Sequence, residues 1–348
     1  MSNTLGINGF GRIGRTSFRV WYERHRHESE LTIINTSGSM EIEDWAHLLR
    51  YDSNYGPWKI EIAVEKEREV KDTSDEQSRL GWFLVGGKKI AITAQRDPSK
   101  IRWHEYGVHT VIESTGAFTS SEKASGHLRA GATKVVISAP AKGDDIGTYV
   151  LGVNTAKNEG LLSNASCTTN CVAPVTAIIH AQFHVKKAIM STIHSYTDDQ
   201  NLQDNSHRDM RRARSAAKSI IPTSTGAAIS VTQTIPELKG LFDGVSYRVP
   251  TSVGSISDMV FVVERRTSVE EVNQALQDAA ASDRWRGILA CTKEPLVSSD
   301  IVGRPESSIV DLALTQVIDG DLVKVVSWYD NEWGYCNRLI EQAISIGE

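Results

Sequence analysis

The chain has 348 residues, with 40% hydrophobic and 23% charged, and a formal net charge of −5. This balance gives no general attraction to nucleic acid or to anionic membranes, and no apolar run approaches the ~20 residues that span a bilayer. The length exceeds what one core usually serves, so two domains are expected, and the four cysteines are too few for a disulfide scaffold.

The opening MSNTLGINGFG has neither the basic nor the apolar region of a signal peptide, so a cytoplasmic setting is expected. TLGIN (4–8) is a short apolar run that leads into GFGRIG (9–14). RIGRTSFRVWYER follows, with Ile13, Phe18, Trp21 and Tyr22 at roughly helical spacing. LTIIN (31–35), KKIAITA (88–94), HTVIEST (109–115) and TKVVISA (133–139) read as further strands, and SSEKASGHLRAG (120–131) as a helix closing on glycine. This alternation predicts an α/β, doubly wound parallel sheet. One segment departs from it: EKEREVKDTSDEQSR (65–79), dense in both signs of charge, reads as a solvated hairpin tip or insertion without function.

After Cys167 the texture changes. VTAIIHAQF (175–183) is helical, while KAIMSTIHSYT, GVSYRVPTS, DMVFVVERR and LVKVVSWYD read as longer strands with partial period-two alternation. TSVEEVNQALQDAAAS (267–282) is a helix with a Ser268–Glu271 capping box and a stripe of Val269, Val272, Leu276 and Ala280. NRLIEQAISIGE is a terminal helix with room to dock back on the first domain. The expected division is a dinucleotide-binding domain over 1–166, completed by 330–348, and an α+β domain with a mixed or antiparallel sheet over 167–329.

GFGRIG matches G-x-G-x-x-G between a predicted strand and a predicted helix, the context a dinucleotide fingerprint requires. Gly9 permits the tight turn, Gly11 lets backbone approach a pyrophosphate, and Gly14 allows close helix–strand packing. The helix N-terminus offers orphan N–H groups to the anion. The fingerprint also expects an acidic residue about 20 residues on, for the ribose 2′-hydroxyl. Thr36 stands there, followed by Ser37 and Gly38. A carboxylate repels a 2′-phosphate and hydroxyls can donate to one, so NADP is expected to be admitted as well as NAD. No Lys or Arg lies in 36–49, and any countercharge must come from elsewhere.

SNASCTTNC (163–171) places two of the four cysteines four apart before a helical pattern. A zinc pair lacks a second ligand cluster, and a disulfide between i and i+4 on a helix is geometrically poor. A nucleophile at Cys167, with Cys171 as packing, fits best, with the helix dipole lowering the thiol pKa. Pro174 makes a kink possible. Such a nucleophile needs an imidazole. Of ten histidines, His194 in IMSTIHSYTDDQ lies at a strand end in the same half.

NGFGRIGR, HLLRYDS, ESTGAF, SNASCTTNC, HSYT, RRARSAAKSIIPTSTGAA, YRVPT and SWYDNEWGY occur in this order. Together they closely resemble phosphorylating glyceraldehyde-3-phosphate dehydrogenases, from residue 4 to beyond 340. The resemblance implies that Cys167 adds to the aldehyde, with His194 as base and the Cys167 N–H as oxyanion donor. Hydride passes from the hemithioacetal to NAD or NADP, and inorganic phosphate cleaves the resulting thioester. It implies that Thr197 and Arg248, with Asp199 nearby, hold the phosphate of glyceraldehyde 3-phosphate. Ser166, Thr168, Arg212, Thr225 and Gly226 match the site of the attacking phosphate. Arg12 and Ile13 match the pyrophosphate loop, Arg96 and Ser138 line the dinucleotide cleft, and Asn331 fixes the carboxamide. Tyr335 is expected near the nicotinamide ring or as a core tyrosine.

The chain departs from the common NAD-using members in Thr36, where they carry Asp, and in Ser206, where they usually carry proline. Photosynthetic members that accept NADP share the SHRD of this loop, which in a homotetramer reaches a neighbour's adenosine end. The 65–79 stretch is longer than that region usually is. Erythrose-4-phosphate dehydrogenase, or a redox-sensing or binding protein on the same fold, are the alternatives; no metal site is expected.

Overall fold

A computed structural model describes residues 3–143, 145–156 and 159–347. The chain forms two compact units: Met1–Thr148 with Ala156–Asn164 and Leu339–Glu348, and Tyr149–Thr155 with Ala165–Arg338. The first is built on a nine-stranded sheet. In spatial order its strands are Gly147–Thr148, Leu161–Ser163, Lys134–Ile137, Thr110–Glu113, Asn3–Asn8, Ser29–Thr36, Lys88–Ala94, Arg79–Val85 and Ile62–Lys66. All neighbours pair in parallel as far as Lys88–Ala94; the last two strands are antiparallel. The central strands are buried as continuous runs, such as Ile33–Ile34, Val111–Ile112 and Val135–Ile137, which is what a parallel sheet covered on both faces demands. Helices α1 (Arg12–Val20), α2 (Ile42–Arg50) and α3 (Ser121–Arg129) accompany it.

At the carboxyl ends of the three central strands, Asn8 lies in register with Asn35 on one side and Glu113 on the other. Their side chains join: Asn35 Nδ2 donates to Asn8 Oδ1 (2.7 Å), and Asn8 Nδ2 to the Glu113 carboxylate (2.6 Å). That carboxylate also takes His127 Nε2 at 2.9 Å, while the Trp103 indole donates to His127 Nδ1 at 3.0 Å. This buried row holds the sheet edge from which the glycine loop departs. Phe10, within that loop, is anchored edge-on against Trp45 and Phe18.

The charged segment is not a free tip. Its strand Ile62–Lys66 pairs with Arg79–Val85, and the Glu41 carboxylate at the start of α2 accepts the Val70 N–H at 3.0 Å and the Lys66 ammonium at 3.2 Å. Opposite charges that look solvated in sequence become mutual partners once the hairpin folds.

The second unit carries an eight-stranded sheet. The order is Ile221–Thr223, Phe242–Val249, Val185–Ser195, Ser255–Val263, Leu322–Tyr329, Ser308–Asp311 and Leu289–Thr292, with Gln316–Ile318 also pairing Leu322–Tyr329. It is mixed: Val185–Ser195 pairs in parallel with Phe242–Val249 and antiparallel with Ser255–Val263. One face packs against α4 (Cys167–Phe183), α5 (Ala227–Thr234) and α6 (Val269–Ala281) through residues such as Val172, Ile179, Met190, Phe261, Leu276 and Val325. Ser268 caps α6 by accepting the Glu271 N–H, while the Glu271 carboxylate takes the Thr267 hydroxyl. Pro174 lies inside α4 without ending it. The terminal helix α7 (Trp333–Ser345) divides at Leu339, and Asn3 Nδ2 donates to Ala343 O and Ile344 O in its last turns.

One row of this sheet breaks the apolar pattern. Thr223, Ser246, Thr192, Ser257 and Ser327 are in register across five strands and all buried. Short hydroxyl side chains leave room for the first turns of α4, whose Cys171 Sγ comes within 3.8 Å of Ser308 Oγ. Among the described residues, no helix is long and apolar enough to cross a membrane.

Candidate active site

The chain enters α4 through Ala165, a fully buried non-glycine residue at φ 56°. This left-handed conformation is uncommon for a residue with a Cβ and is held by its surroundings. Tyr335 Oη donates to the Ala165 carbonyl at 3.1 Å and pins the turn. Ser166 is the N-cap, its hydroxyl accepting the Thr169 N–H at 3.1 Å. Cys167 is therefore the first helical residue, where backbone N–H groups have no carbonyl a turn earlier.

Cys167 Sγ lies 3.3 Å from His194 Nε2. His194 is the next-to-last residue of the strand Val185–Ser195, and its Nδ1 lies 2.7 Å from the Ser195 carbonyl. A carbonyl only accepts, so Nδ1 carries the ring proton and Nε2 presents its lone pair to the sulfur. Burial, then the charge of Arg248, push the imidazole pKa down to about 4. Burial likewise pushes the Cys167 thiol up, against the opposing pull of Arg248 and the N–H groups of Thr168 and Cys167. Desolvation thus opposes the depression of the thiol pKa expected from the helix terminus. Cys171 is buried, with its thiol pushed up to about 12 by desolvation, which makes it inert packing.

Four residues expected to handle anions form one chain of contacts. Arg248 donates to Thr197 Oγ1 at 2.7 Å, Thr197 donates to Asp199, and Arg212 donates to Asp199 at 2.6 Å. Arg212 Nε also donates to Thr223 Oγ1 at 2.8 Å, on the buried hydroxyl row. Thr225 accepts the Ala227 N–H and Gly226 caps α5. The Thr168 hydroxyl is turned away from this group, at 2.9 Å from Tyr329 Oη. Asn331 Oδ1 accepts the Gly254 N–H (3.1 Å) and the Ser255 hydroxyl (2.9 Å), which fixes the amide and leaves Nδ2 as its donor end. Ser206 is exposed on the loop of the second unit, its carbonyl accepting Asn201 Nδ2.

In the first unit a cleft of about 420 Å³ lies over the glycine loop, lined by Gly9, Gly11, Thr36, Ser37, Gln95 and Arg96 among others. Gly9 has φ 94°, and a Cβ there meets the backbone of Ser114 and Thr115 at 2.8 Å. A Cβ on Gly14 meets Gly9 O at 2.0 Å, whereas one on Gly11 meets nothing within 4 Å. Gly9 and Gly14 are thus required by packing, and Gly11 keeps the approach to the α1 N-terminus open; α1 has no acidic residue in its first turn. Arg12, with Ile13 beside it, opens α1, but its guanidinium is held by Asp52 at 2.5 Å. What the loop offers an anion is backbone N–H. Ser138 follows Lys134–Ile137, its N–H donating to Glu113 O, outside this lining.

Thr36 corrects the sequence reading. Its hydroxyl donates to Thr93 O at 2.9 Å and the residue is 1% exposed, so it offers no free donor to the cleft. Arg96 brings a positive charge beside this turn: it is exposed at the cleft, with Nε donating to Ser37 O at 3.2 Å.

Two family models match this sequence. Residues 3–121 match the NAD binding domain of glyceraldehyde 3-phosphate dehydrogenase, and residues 166–331 match its C-terminal domain. The chain belongs to the glyceraldehyde-3-phosphate dehydrogenase family. It is 47% identical to glyceraldehyde-3-phosphate dehydrogenase of Geobacillus stearothermophilus, over 99% of this chain and 98% of that protein. It is 46% identical to that of Mycobacterium leprae, over 100% and 99%. It is 48% identical to glyceraldehyde-3-phosphate dehydrogenase 2 of Trichormus variabilis, over 99% and 98%.

For this family member, sequence reasoning overlooked Tyr329. Its hydroxyl bridges Thr168 Oγ1 (2.9 Å) on α4 and Thr192 Oγ1 (2.8 Å) on the His194 strand, and its ring meets that of His194 edge-on at 6.0 Å. The one available signal was a tyrosine ending a strand two residues before Asn331. Ser195, whose carbonyl sets the His194 tautomer, left no signal of its own.

Proposed function

We propose that the chain catalyses the reversible phosphorylating oxidation of glyceraldehyde 3-phosphate to 1,3-bisphosphoglycerate with NAD or NADP. In this reading the first unit is the dinucleotide-binding domain and the second the catalytic domain. The observation that carries it is the Cys167–His194 contact at 3.3 Å with the imidazole in the acceptor tautomer, in a chain that belongs to this family. As Sγ attacks the aldehyde carbon, the thiol proton passes to Nε2. The N–H of Cys167, in the open first turn of α4, donates to the developing oxyanion. Nε2 returns the thiol proton to the oxyanion, giving the hemithioacetal hydroxyl, and takes it back as the carbon loses hydride and becomes the thioester. A bound nicotinamide dinucleotide supplies the hydride acceptor. Inorganic phosphate attacks the thioester carbon, the C–S bond breaks, and the acyl phosphate leaves with Cys167 free again.

Arg248 and Thr197, backed by Asp199, would hold the substrate phosphate. Arg212, Ser166, Thr225, Gly226 and the Thr168 N–H would hold the attacking one. Planar guanidinium forks beside hydroxyl donors suit both anions. Gly9, Gly11, Arg12, Ile13 and Gly14 would hold the pyrophosphate through backbone, and Asn331 Nδ2 the carboxamide. The contact of Tyr335 with Ala165 O supports the core-tyrosine reading over stacking on the ring.

NADP acceptance rests on a cleft without a lining carboxylate and with Arg96 at its rim. Ser37 remains as a hydroxyl there, and Ser206 of a neighbouring copy would add another. A homotetramer would give cover to large apolar side chains that the second unit leaves exposed, among them Leu202, Met210, Ile220 and Ile229. Four free cysteines suit a reducing, cytoplasmic setting. The test is steady-state oxidation of glyceraldehyde 3-phosphate with and without inorganic phosphate. Turnover that persists undiminished without phosphate, or that favours erythrose 4-phosphate, overturns the assignment.

A further inference from the structure

The charged segment 65–79, which the catalytic reading leaves without a task, reaches both rims of the cleft over the glycine loop. On one side the Glu41 carboxylate accepts the Val70 N–H, and a Cβ on Gly38 would stand 3.8 Å from Val70 Cγ1, beside the turn that carries Ser37. On the other, Asp75 Oδ1 accepts Gln95 Nε2 at 3.1 Å, and the Ala94 N–H donates to Ser78 O at 2.8 Å. Gln95 is buried and lines the cleft. Its other side-chain atom, Oε1, accepts the Asp97 N–H at 2.9 Å, and its backbone exchanges two hydrogen bonds with the Asn35 side chain. The side chain of Gln95 is therefore oriented at one end by its own turn and at the other by Asp75. Arg96 follows directly.

We propose that segment 65–79 is a brace for the adenosine end of the dinucleotide cleft, and that Asp75 is a positioning residue acting through Gln95 on the rim that carries Arg96. The inference rests on the reading of this cleft as the dinucleotide site. Asp75 touches no ligand in this scheme. It keeps the 94–97 turn in the conformation that faces the adenosine ribose, so its loss costs binding of the whole dinucleotide. Lys100 Nζ, 2.5 Å from Asp75 Oδ2, is an exposed ion pair and contributes little by itself. The hydrogen bond to the buried amide carries the effect.

The test is calorimetric titration of NADPH and NADH into the full-length protein and its Asp75→Ala and Asp75→Asn variants, alongside kcat and the KM for glyceraldehyde 3-phosphate. Loss of one hydrogen bond to a buried group is expected to raise both dinucleotide Kd values about threefold to tenfold in Asp75→Ala, with kcat at saturation and the aldehyde KM retained. Asp75→Asn keeps the acceptor for Gln95 and loses the charge, so it is expected to restore most of the affinity. If the unmutated protein binds neither dinucleotide, the site assignment itself falls. If it binds both and Asp75→Ala binds equally well, the cleft stands and the brace falls. Equal losses in both variants, or a parallel fall in kcat, reduce the segment to general stability and also overturn the proposal.

Discussion

Cys167 and His194, 27 residues apart in sequence, meet with Sγ 3.3 Å from Nε2, while the opposite ring nitrogen is committed to the Ser195 carbonyl. The sulfur thus faces the only lone pair of the imidazole. Cys167→Ser is expected to abolish oxidation while dinucleotide binding by titration is retained. His194→Asn removes the proton acceptor, and kcat is expected to fall by roughly 10²–10⁴-fold. A His194→Asn enzyme with kcat near that of the parent removes the base assignment.

The depressed pKa of His194 also has a stability consequence. The native imidazole titrates at about 4 and the unfolded one near 6.5. Between these values the unfolded chain binds the extra proton, so this group's contribution to stability is lost as pH falls from 6.5 through 4. The urea midpoint of the parent should drop more steeply across this window than that of His194→Asn. Parallel slopes place the acid sensitivity elsewhere. Iodoacetamide inactivation reports the sulfur: with the thiol pushed up by burial, the rate should climb with alkaline pH.

Tyr329 ties the nucleophile's helix to the base's strand through Thr168 and Thr192. Tyr329→Phe keeps the ring against His194 and deletes both bonds, for a stability loss of roughly 1–3 kcal/mol. The expected kinetic signature is a fall in kcat larger than any change in the KM for aldehyde or phosphate. A variant that loses stability with kcat untouched makes the tyrosine a packing residue alone.

Arg212 and Arg248 are separated by their partners, Thr223 for one and Thr197 for the other. Removing a charged hydrogen-bond donor should raise the KM of the anion it holds about tenfold or more. Arg212→Ala is expected to raise the KM of inorganic phosphate above all, and Arg248→Ala that of glyceraldehyde 3-phosphate. The reverse pattern exchanges the two sites.

On the proposed reading, coenzyme choice would turn on Arg96. Arg96→Ala should raise the KM of NADP more than that of NAD, since only the former brings a 2′-phosphate to the guanidinium. An unchanged ratio excludes Arg96 as the reader of that group. If the unmutated enzyme favours NAD about tenfold or more, a difference of some 1.4 kcal/mol, the case for NADP fails at the outset.

Much of the molecule is legible without coordinates. A glycine with φ 94° and another on which an added Cβ would meet a carbonyl at 2.0 Å are written into GFGRIG, because tight turns and close packing exclude larger residues locally. The alternating segments of the first half require the parallel sheet they form, and SNASCTTNC carries its own cap in Ser166. These features depend on atoms a few residues apart. What tertiary structure alone decided lies between distant residues: which of ten histidines faces the sulfur, and that Tyr329 reaches Thr168 across 161 positions. It also turned the Thr36 hydroxyl inward to Thr93 and drew the charged segment onto the cleft. Sheet register and helix packing set those meetings, and a short polar side chain takes whichever partner that geometry brings within reach.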